Sequence, residues 1–309
     1  MYRYVLKRLL MLIPVILGVI LLIFFVMDLA PGDPVLMVAA PDATEEELAV
    51  LRHEMGLDRG FIYRYVNYVK NLLQGNLGTS YITKRPVLKT YMERLPATAK
   101  LAVGAVIVIL VVSLPLGIIA AVNQNTWKDS ISMIVALLGV SMPTFWLGLL
   151  LMLLFSLKLH WFPSGGTKGF ASLVLPSITM GLNLAATMTR TTRSSMLDVL
   201  RADYLRTARA KGVSERKVIL KHALKNALIP MITVFGSAFS YVLGGAVLVE
   251  TVFSYPGVGK MVIDAIGNRD IPTVTGALVM TTMIVTVVNL LIDLLYAFVD
   301  PRIKGQYVK

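Results

Sequence analysis

The chain has 309 residues, 56% of them hydrophobic, with a formal net charge of +12 and no cysteine. That apolar share, with a mean hydropathy of +0.72, exceeds what soluble domains carry, and the missing cysteines exclude disulfides, thiol catalysis and thiolate metal sites. A nucleic-acid role would place the positive charge on one soluble face with interleaved aromatics or a known fold, and neither is present.

Six apolar runs without a charge follow one another, at residues 9–27, 101–122, 131–157, 170–189, 227–249 and 271–292. Each reaches or approaches the ~20 residues that a helix needs to cross a hydrocarbon core. A helix satisfies its own backbone groups in lipid, and the short alternating segments of a membrane barrel are absent. The chain therefore reads as an all-α integral membrane protein with six transmembrane helices. Its first run is longer than a signal-peptide core, and Asp28 and Pro31 spoil the cleavage site after Ala30, so it reads as a retained anchor.

Charge sets the topology. Residues 190–226 hold ten Lys/Arg against three acids, whereas residues 31–96 hold eight of each. The positive-inside rule then puts both termini in the cytoplasm. Three divisions follow: a cytoplasmic head with the first span (1–30), an extracytoplasmic helical subdomain (31–97), and a five-helix core (98–309). The core carries a cytoplasmic loop at 194–229 and an extracytoplasmic loop at 250–271. In the subdomain, Thr44 and Glu47 form a capping box, and an amphipathic helix is predicted over 61–73. "APGDP" and "GNLGTSY" read as turns. The subdomain suits a membrane-resting cap and a docking surface equally.

Within the runs, Ser141, Asn183, Ser237 and Asn289 are candidates for lining a path, with hydrogen bonding between helices as the competing role. Glu250 and Asp293 lie near run ends, where charge is less costly. Pro14, Pro115, Pro143, Pro176 and Pro230 each sit in or near the start of a run, where proline removes a backbone bond and kinks a helix.

The inner loop carries the strongest pattern. Leu197, Leu200, Tyr204, Leu205 and Ala208 recur at helical spacing on one face. Gly212 breaks that face, and Ser214 with Glu215 starts a second helix. Two short helices meeting at a glycine predict a rigid knuckle on the cytoplasmic side.

Enzymatic motifs fail on inspection. "SYPGVGKM" has the Gly-x-Gly-Lys tail of a phosphate-binding loop, but Ser254 replaces its first glycine and Met261 its Ser/Thr. Topology also puts it outside. Tyr255, Pro256, Gly257, Val258 and Gly259 describe instead a tight turn into a short helix over 260–266. "HEMGL" has Leu57 where a zinc protease needs its second histidine, and no serine sits in a Gly-x-Ser-x-Gly elbow.

The stretch "DYLRTARAKGVSERKVILKHALKNALIP" resembles the cytoplasmic signature of binding-protein-dependent ABC importer permeases, Glu-Ala-Ala, three residues, then Gly. With Gly212 on the family glycine, Arg206, Thr207 and Ala208 fall on the triplet. The first two depart from the general pattern, and the following proline is displaced to Pro230. Those departures resemble the dipeptide/oligopeptide/nickel branch, as do "APGDPV", "GNLGTSY" and "ETVFSYPGVGKM" in the same order. The match runs from residue 1 to residue 302.

The resemblance implies a type I ABC importer permease in the cytoplasmic membrane of a bacterium or archaeon, in contact with lipid. Its partners would be a homologous second permease, two cytoplasmic ATPase subunits holding ATP and Mg²⁺, and an extracytoplasmic solute-binding protein. Leu205, Arg206, Thr207, Ala208, Arg209, Ala210, Lys211, Gly212 and Val213 would seat in an ATPase groove. The turn at Tyr255–Gly259 would close the pore mouth. This chain itself would be non-catalytic and hold no cofactor or metal. Peptides are the implied cargo, with nickel chelates, glutathione or another small solute as alternatives. A stand-alone carrier or channel is a second alternative, without the inverted repeat and midplane charges of carriers.

Overall fold

A computed structural model describes residues 2–167 and 169–299. Among the described residues there is no strand, only one isolated bridge between Thr79 and Pro86. In chain order the α-helices are α1 (Tyr2–Leu29), α2 (Glu45–Glu54), α3 (Phe61–Leu73), α4 (Val87–Val122), α5 (Trp127–Ser141), α6 (Thr144–Leu151), α7 (Ala171–Leu200), α8 (Asp203–Ala210), α9 (Glu215–Lys217), α10 (Leu224–Gly245), α11 (Val247–Val252), α12 (Val258–Gly267) and α13 (Ile271–Val299). Two π-helical turns, Met152–Lys158 and Val218–Ala223, extend α6 and precede α10.

Among the described residues four helices are long and apolar enough to cross a membrane: Tyr4–Leu29, Val87–Val122, Ala171–Leu200 and Ile271–Leu294. The predicted third run is not one straight helix. It breaks into Trp127–Ser141 and Thr144–Lys158, bent by 101°. The break falls at Met142 (φ −88°, ψ 128°), because a proline ring disfavours the helical conformation of the residue before it, and Pro143 follows. The predicted fifth run lies largely in α10, several of whose side chains, Pro230 and Ser237 among them, lie outside the described residues.

The chain divides into two compact units, Met1–Thr98 with Pro256–Val288, and Ala99–Tyr255 with Asn289–Lys309. In the first, α1 is covered by the amphipathic face of α3. Ile20, Ile23, Phe24 and Met27 are buried with Leu77, Val87, Val274 and Val279, and Phe61, Tyr65, Tyr68 and Leu72 pack over them. Phe24 meets Tyr65 edge-on at 6.5 Å between ring centroids. Arg64 donates to both Asp28 oxygens at 2.7 and 2.6 Å. The Thr44–Glu47 capping box forms as the sequence requires, both reciprocal bonds present.

The polar centre of this unit is Asp270, 3% exposed, at the start of α13. Its carboxylate accepts from Ser80 Oγ at 2.5 Å, the Tyr81 amide at 3.0 Å and Thr273 Oγ1 at 2.7 Å. The "GNLGTSY" turn is thereby tied to the chain as it enters the last helix. Next to it, Arg269 donates to the carbonyls of Ala30, at 3.0 Å, and Pro31. Gly32, at φ +109°, admits that guanidinium, because an added Cβ would lie 3.1 Å from its Nε.

In the second unit α4, α5, α6, α10 and α11 surround α7. Small residues set the approach of α4 to α7: a Cβ on Gly181 would lie 2.6 Å from Val108 Cβ, and one on Gly117 would lie 2.4 Å from Thr192 Cβ. Hydroxyls that lipid would leave unpaired are turned back onto their own helix. Thr179, Thr189 and Thr192 donate to the carbonyls of Leu175, Ala185 and Met188 at 2.8, 2.7 and 2.8 Å.

Asp270→Ala leaves three donors without their acceptor, two of them on buried residues. Since each buried unsatisfied group costs about 1–3 kcal/mol, the purified protein is expected to lose about 3 kcal/mol and melt at a clearly lower temperature. Asp270→Asn keeps one acceptor oxygen and should fall between. Native-like melting of Asp270→Ala would remove Asp270 as the organising group.

Candidate functional site

The loop at 194–229 folds as a knuckle. α7 ends at Leu200, the chain turns through Ala202 (φ −73°, ψ 141°), and α8 runs Asp203–Ala210. α8 then stops in a Schellman motif: the Gly212 amide donates to Arg209 O at 3.0 Å and the Val213 amide to Ala208 O at 3.3 Å. Gly212 holds φ +76°, and a Cβ added there would meet nothing within 4 Å, so conformation and not space requires glycine. Ser214 caps the position before α9 without a side-chain bond.

One face of the knuckle is anchored. Leu205 is fully buried with Met196, Val218, Ala223, Ala227 and Ala121, and Ala208 and Val213 pack beside it. Tyr204, expected on the covered face, is 43% exposed; its hydroxyl accepts from Asn226 Nδ2 at 2.7 Å. Arg206, Thr207, Arg209, Ala210, Lys211 and Gly212 are exposed. Across the glycine turn, Arg209 grips Glu215 through Nε at 3.0 Å and Nη2 at 2.8 Å.

The hydrogen bond from Arg209 holds the Glu215 carboxyl below its ordinary 4.5, and the carboxylate raises Arg209 in return. A depressed folded-state carboxyl contributes above its unfolded value and is lost as pH falls through the lowered one. The clasp is therefore intact at neutral pH and opens only in acid. Behind the knuckle, Arg193 of α7 holds Asp129 of α5 through Nε and Nη2, both at 2.7 Å. That pair was not singled out from the sequence; its signal is an acid in the first turn of α5 and a base near the inner end of α7.

In the loop at 250–271, Tyr255 is 4% exposed and its amide donates to Glu250 O at 2.7 Å. Burial, then the nearby Glu250 charge, raises its hydroxyl. Glu250 itself, one residue past its apolar run, is fully buried. Pro256 O accepts from Arg94 at 3.4 Å, and the Val258 amide donates to Thr98 Oγ1 at 2.8 Å. Gly257 precedes α12 in extended conformation, Val258 and Gly259 are buried, and Lys260 bonds both Asp264 oxygens at 2.9 Å. α12 begins two residues before the predicted start at 260.

The candidate path residues divide. Ser141 Oγ donates to Leu137 O at 2.9 Å on its own helix. Asn183 Nδ2 reaches Gly139 O of α5 at 3.5 Å, and Asn289 Oδ1 accepts from Ser240 Oγ at 2.5 Å. Ser237 lies outside the described side chains. Asn183 and Asn289 thus bond between helices and Ser141 within its own.

An all-helical core of apolar helices around one central helix, with a capped knuckle, is the architecture of an integral membrane protein. The family model "Binding-protein-dependent transport system inner membrane component" matches residues 113–305, and that family's N-terminal model matches residues 1–102. This chain belongs to that family. It is 42% identical over 304 residues to the glutathione transport system permease protein GsiC of Salmonella choleraesuis (strain SC-B67), covering 98% of this chain and 99% of that one. Identity to GsiC of Escherichia coli (strain K12) is 40% with the same coverage. A chain of the MetNI methionine ABC transporter in an inward-facing conformation shares the fold, with a TM-score of 0.59 at 15% identity, over 68% of this chain and 96% of that chain. The protein is thus an ABC importer permease of the peptide/nickel branch, a multi-pass protein of the cytoplasmic membrane.

Gly212→Val forces a β-branched residue into the left-handed region, a strain of about 1–2 kcal/mol. The expected result is a frayed α8 terminus, read as faster amide exchange over α8 with the melting of the spans unchanged. Gly212→Asn, which tolerates that conformation, should stay near the native pattern. Equal exchange in all three would contradict the Schellman stop.

Proposed function

We propose that the chain is one half of a pore, paired with a homologous second permease over two cytoplasmic ATPase subunits and fed by an extracytoplasmic solute-binding protein. In this reading the chain crosses the membrane six times with both termini inside. Residues 31–97 and 250–271 form its outer face, and residues 194–229 its coupling loop. The observation that carries it is the knuckle, rigid on one side and open on the other. Buried Leu205 fixes α8 to the base of the core, while Thr207, Ala210 and Lys211 are left for a partner. A body held this firmly passes an imposed displacement to the helices it caps instead of absorbing it, so closure of the ATPases biases the pore between two states. ATP and Mg²⁺ belong to those subunits; this chain supplies no catalytic group.

The cargo is peptidic. The names of the relatives make glutathione, itself a tripeptide, the first solute to test among the dipeptide and oligopeptide class. Tyr255–Gly259 acts at the outer mouth as a fixed turn, held by the Thr98 and Arg94 contacts to its backbone.

The test is uptake by vesicles holding the complete transporter with its binding protein. ATP-dependent accumulation of glutathione or dipeptides is expected, with no ATP hydrolysis by this chain alone. Accumulation of a nickel chelate but no peptide would replace the cargo. Hydrolysis by the isolated chain would overturn the permease role.

A further inference from the structure

α7 is the central helix of its unit, with 56% of its apolar window buried. What it leaves uncovered beyond its midpoint is polar. Thr187, Arg190, Ser194 and Asp198 are its exposed positions there, with Asn183 half-buried in line with them. Steps of four, three, four and four residues put these five on one helical face. A helix turned to lipid shows apolar residues at such positions, as α1 does with Leu22, Phe25 and Leu29. Hydroxyl, amide and guanidinium groups in a row mark contact with water or solute.

Arg190 is the basic member of that row, two turns from the acid Asp198, and among the described residues it makes no hydrogen bond or ion pair. Arg193, three residues on, is fully engaged by Asp129. Arg190 instead lines a pocket of about 300 Å³ with Met133, Ile134, Ala136, Leu137 and Ala186. Apolar walls weaken screening, so the free guanidinium attracts an anion more strongly there than in open water. Its planar fork fits a carboxylate through two parallel bonds. An arginine that merely reached for lipid headgroups would account for position 190 alone. It would leave Thr187, three residues earlier on the same face, without a reason to be polar.

We propose that Arg190, with Thr187 and Asn183 deeper along the same face, is a carboxylate-binding station for the transported solute, selecting peptides with a free C-terminal carboxylate. This rests on the permease reading of the chain. A positive charge beside apolar walls also lowers the barrier for an anionic peptide end, which would otherwise cross apolar surface unpaired.

The complete transporter, without its binding protein, is placed in phosphatidylcholine nanodiscs, and weak binding is read by saturation-transfer NMR. The probes are glutathione, Ala-Ala and Ala-Ala amide. The native protein should bind Ala-Ala about tenfold more tightly than its amide. Arg190→Gln should lose that preference, and Arg190→Lys should keep part of it. Equal binding of acid and amide by the native protein, or no binding of any probe, overturns the proposal without any variant having to fold. A preference unchanged in Arg190→Gln overturns it too. So does loss of co-purified phosphatidylglycerol from Arg190→Gln with the acid preference intact, which would make Arg190 a headgroup anchor. Failure of the permease reading is separate: the native transporter would then accumulate no solute with ATP.

Discussion

Lipid offers no hydrogen bonds, and the rest of this structure follows from that constraint. Helices meet it for the backbone, and side chains meet it locally. Thr179, Thr189 and Thr192 turn back on α7, Thr281, Thr282 and Thr286 do the same on α13, and Asn289 pairs with Ser240. The places where the rule is relaxed are then informative. The chain breaks at Met142–Pro143 with a 101° bend, and α7 turns a polar face outward at Thr187, Arg190 and Ser194. Both are tolerable only beside water or another protein surface.

Outside the bilayer, two adjacent residues organise the first unit. Arg269 holds the turn after α1, and Asp270 holds the turn before α4 and the start of α13. Motifs far apart in the chain are thus one structure. "APGDP" supplies carbonyls and the glycine that lets a guanidinium close in, while "GTSY" supplies a hydroxyl and an amide to a buried carboxylate. Tyr81 shares the setting: burial, and then the charge of Asp270, pushes its hydroxyl up to about 12, so it stays a neutral donor to Met55 O at 3.2 Å.

Local features were legible in the sequence and distant pairings were not. Apolar runs located the helices because the membrane demands length, and Thr44–Glu47 announced its cap because both partners lie within one turn. Gly212 was legible because only glycine takes that turn at no steric cost. The break at Pro143 was hidden by an apolar run that continues through it; composition shows length, whereas the bend comes from the conformation proline imposes on Met142. Asp270 was not singled out from the sequence, since its partner Ser80 lies 190 residues away. Glu250, read as an end-of-run charge, is buried by its neighbours in space. Arg190 blended into the basic loop that begins with it, and only exposure along α7 separates it from the paired Arg193.

The central claim is that the anchored knuckle is the part of this chain that the ATPases grip. The absence of cysteine makes it directly accessible to a probe, because Lys211→Cys introduces a single thiol on the exposed side of the Gly212 turn. Coupled to a benzophenone maleimide and illuminated in the assembled transporter, it should form an adduct with an ATPase subunit, in a yield that differs between the ATP-bound and nucleotide-free states. No ATPase adduct in either state, with the thiol still freely labelled by a soluble maleimide, would contradict the account.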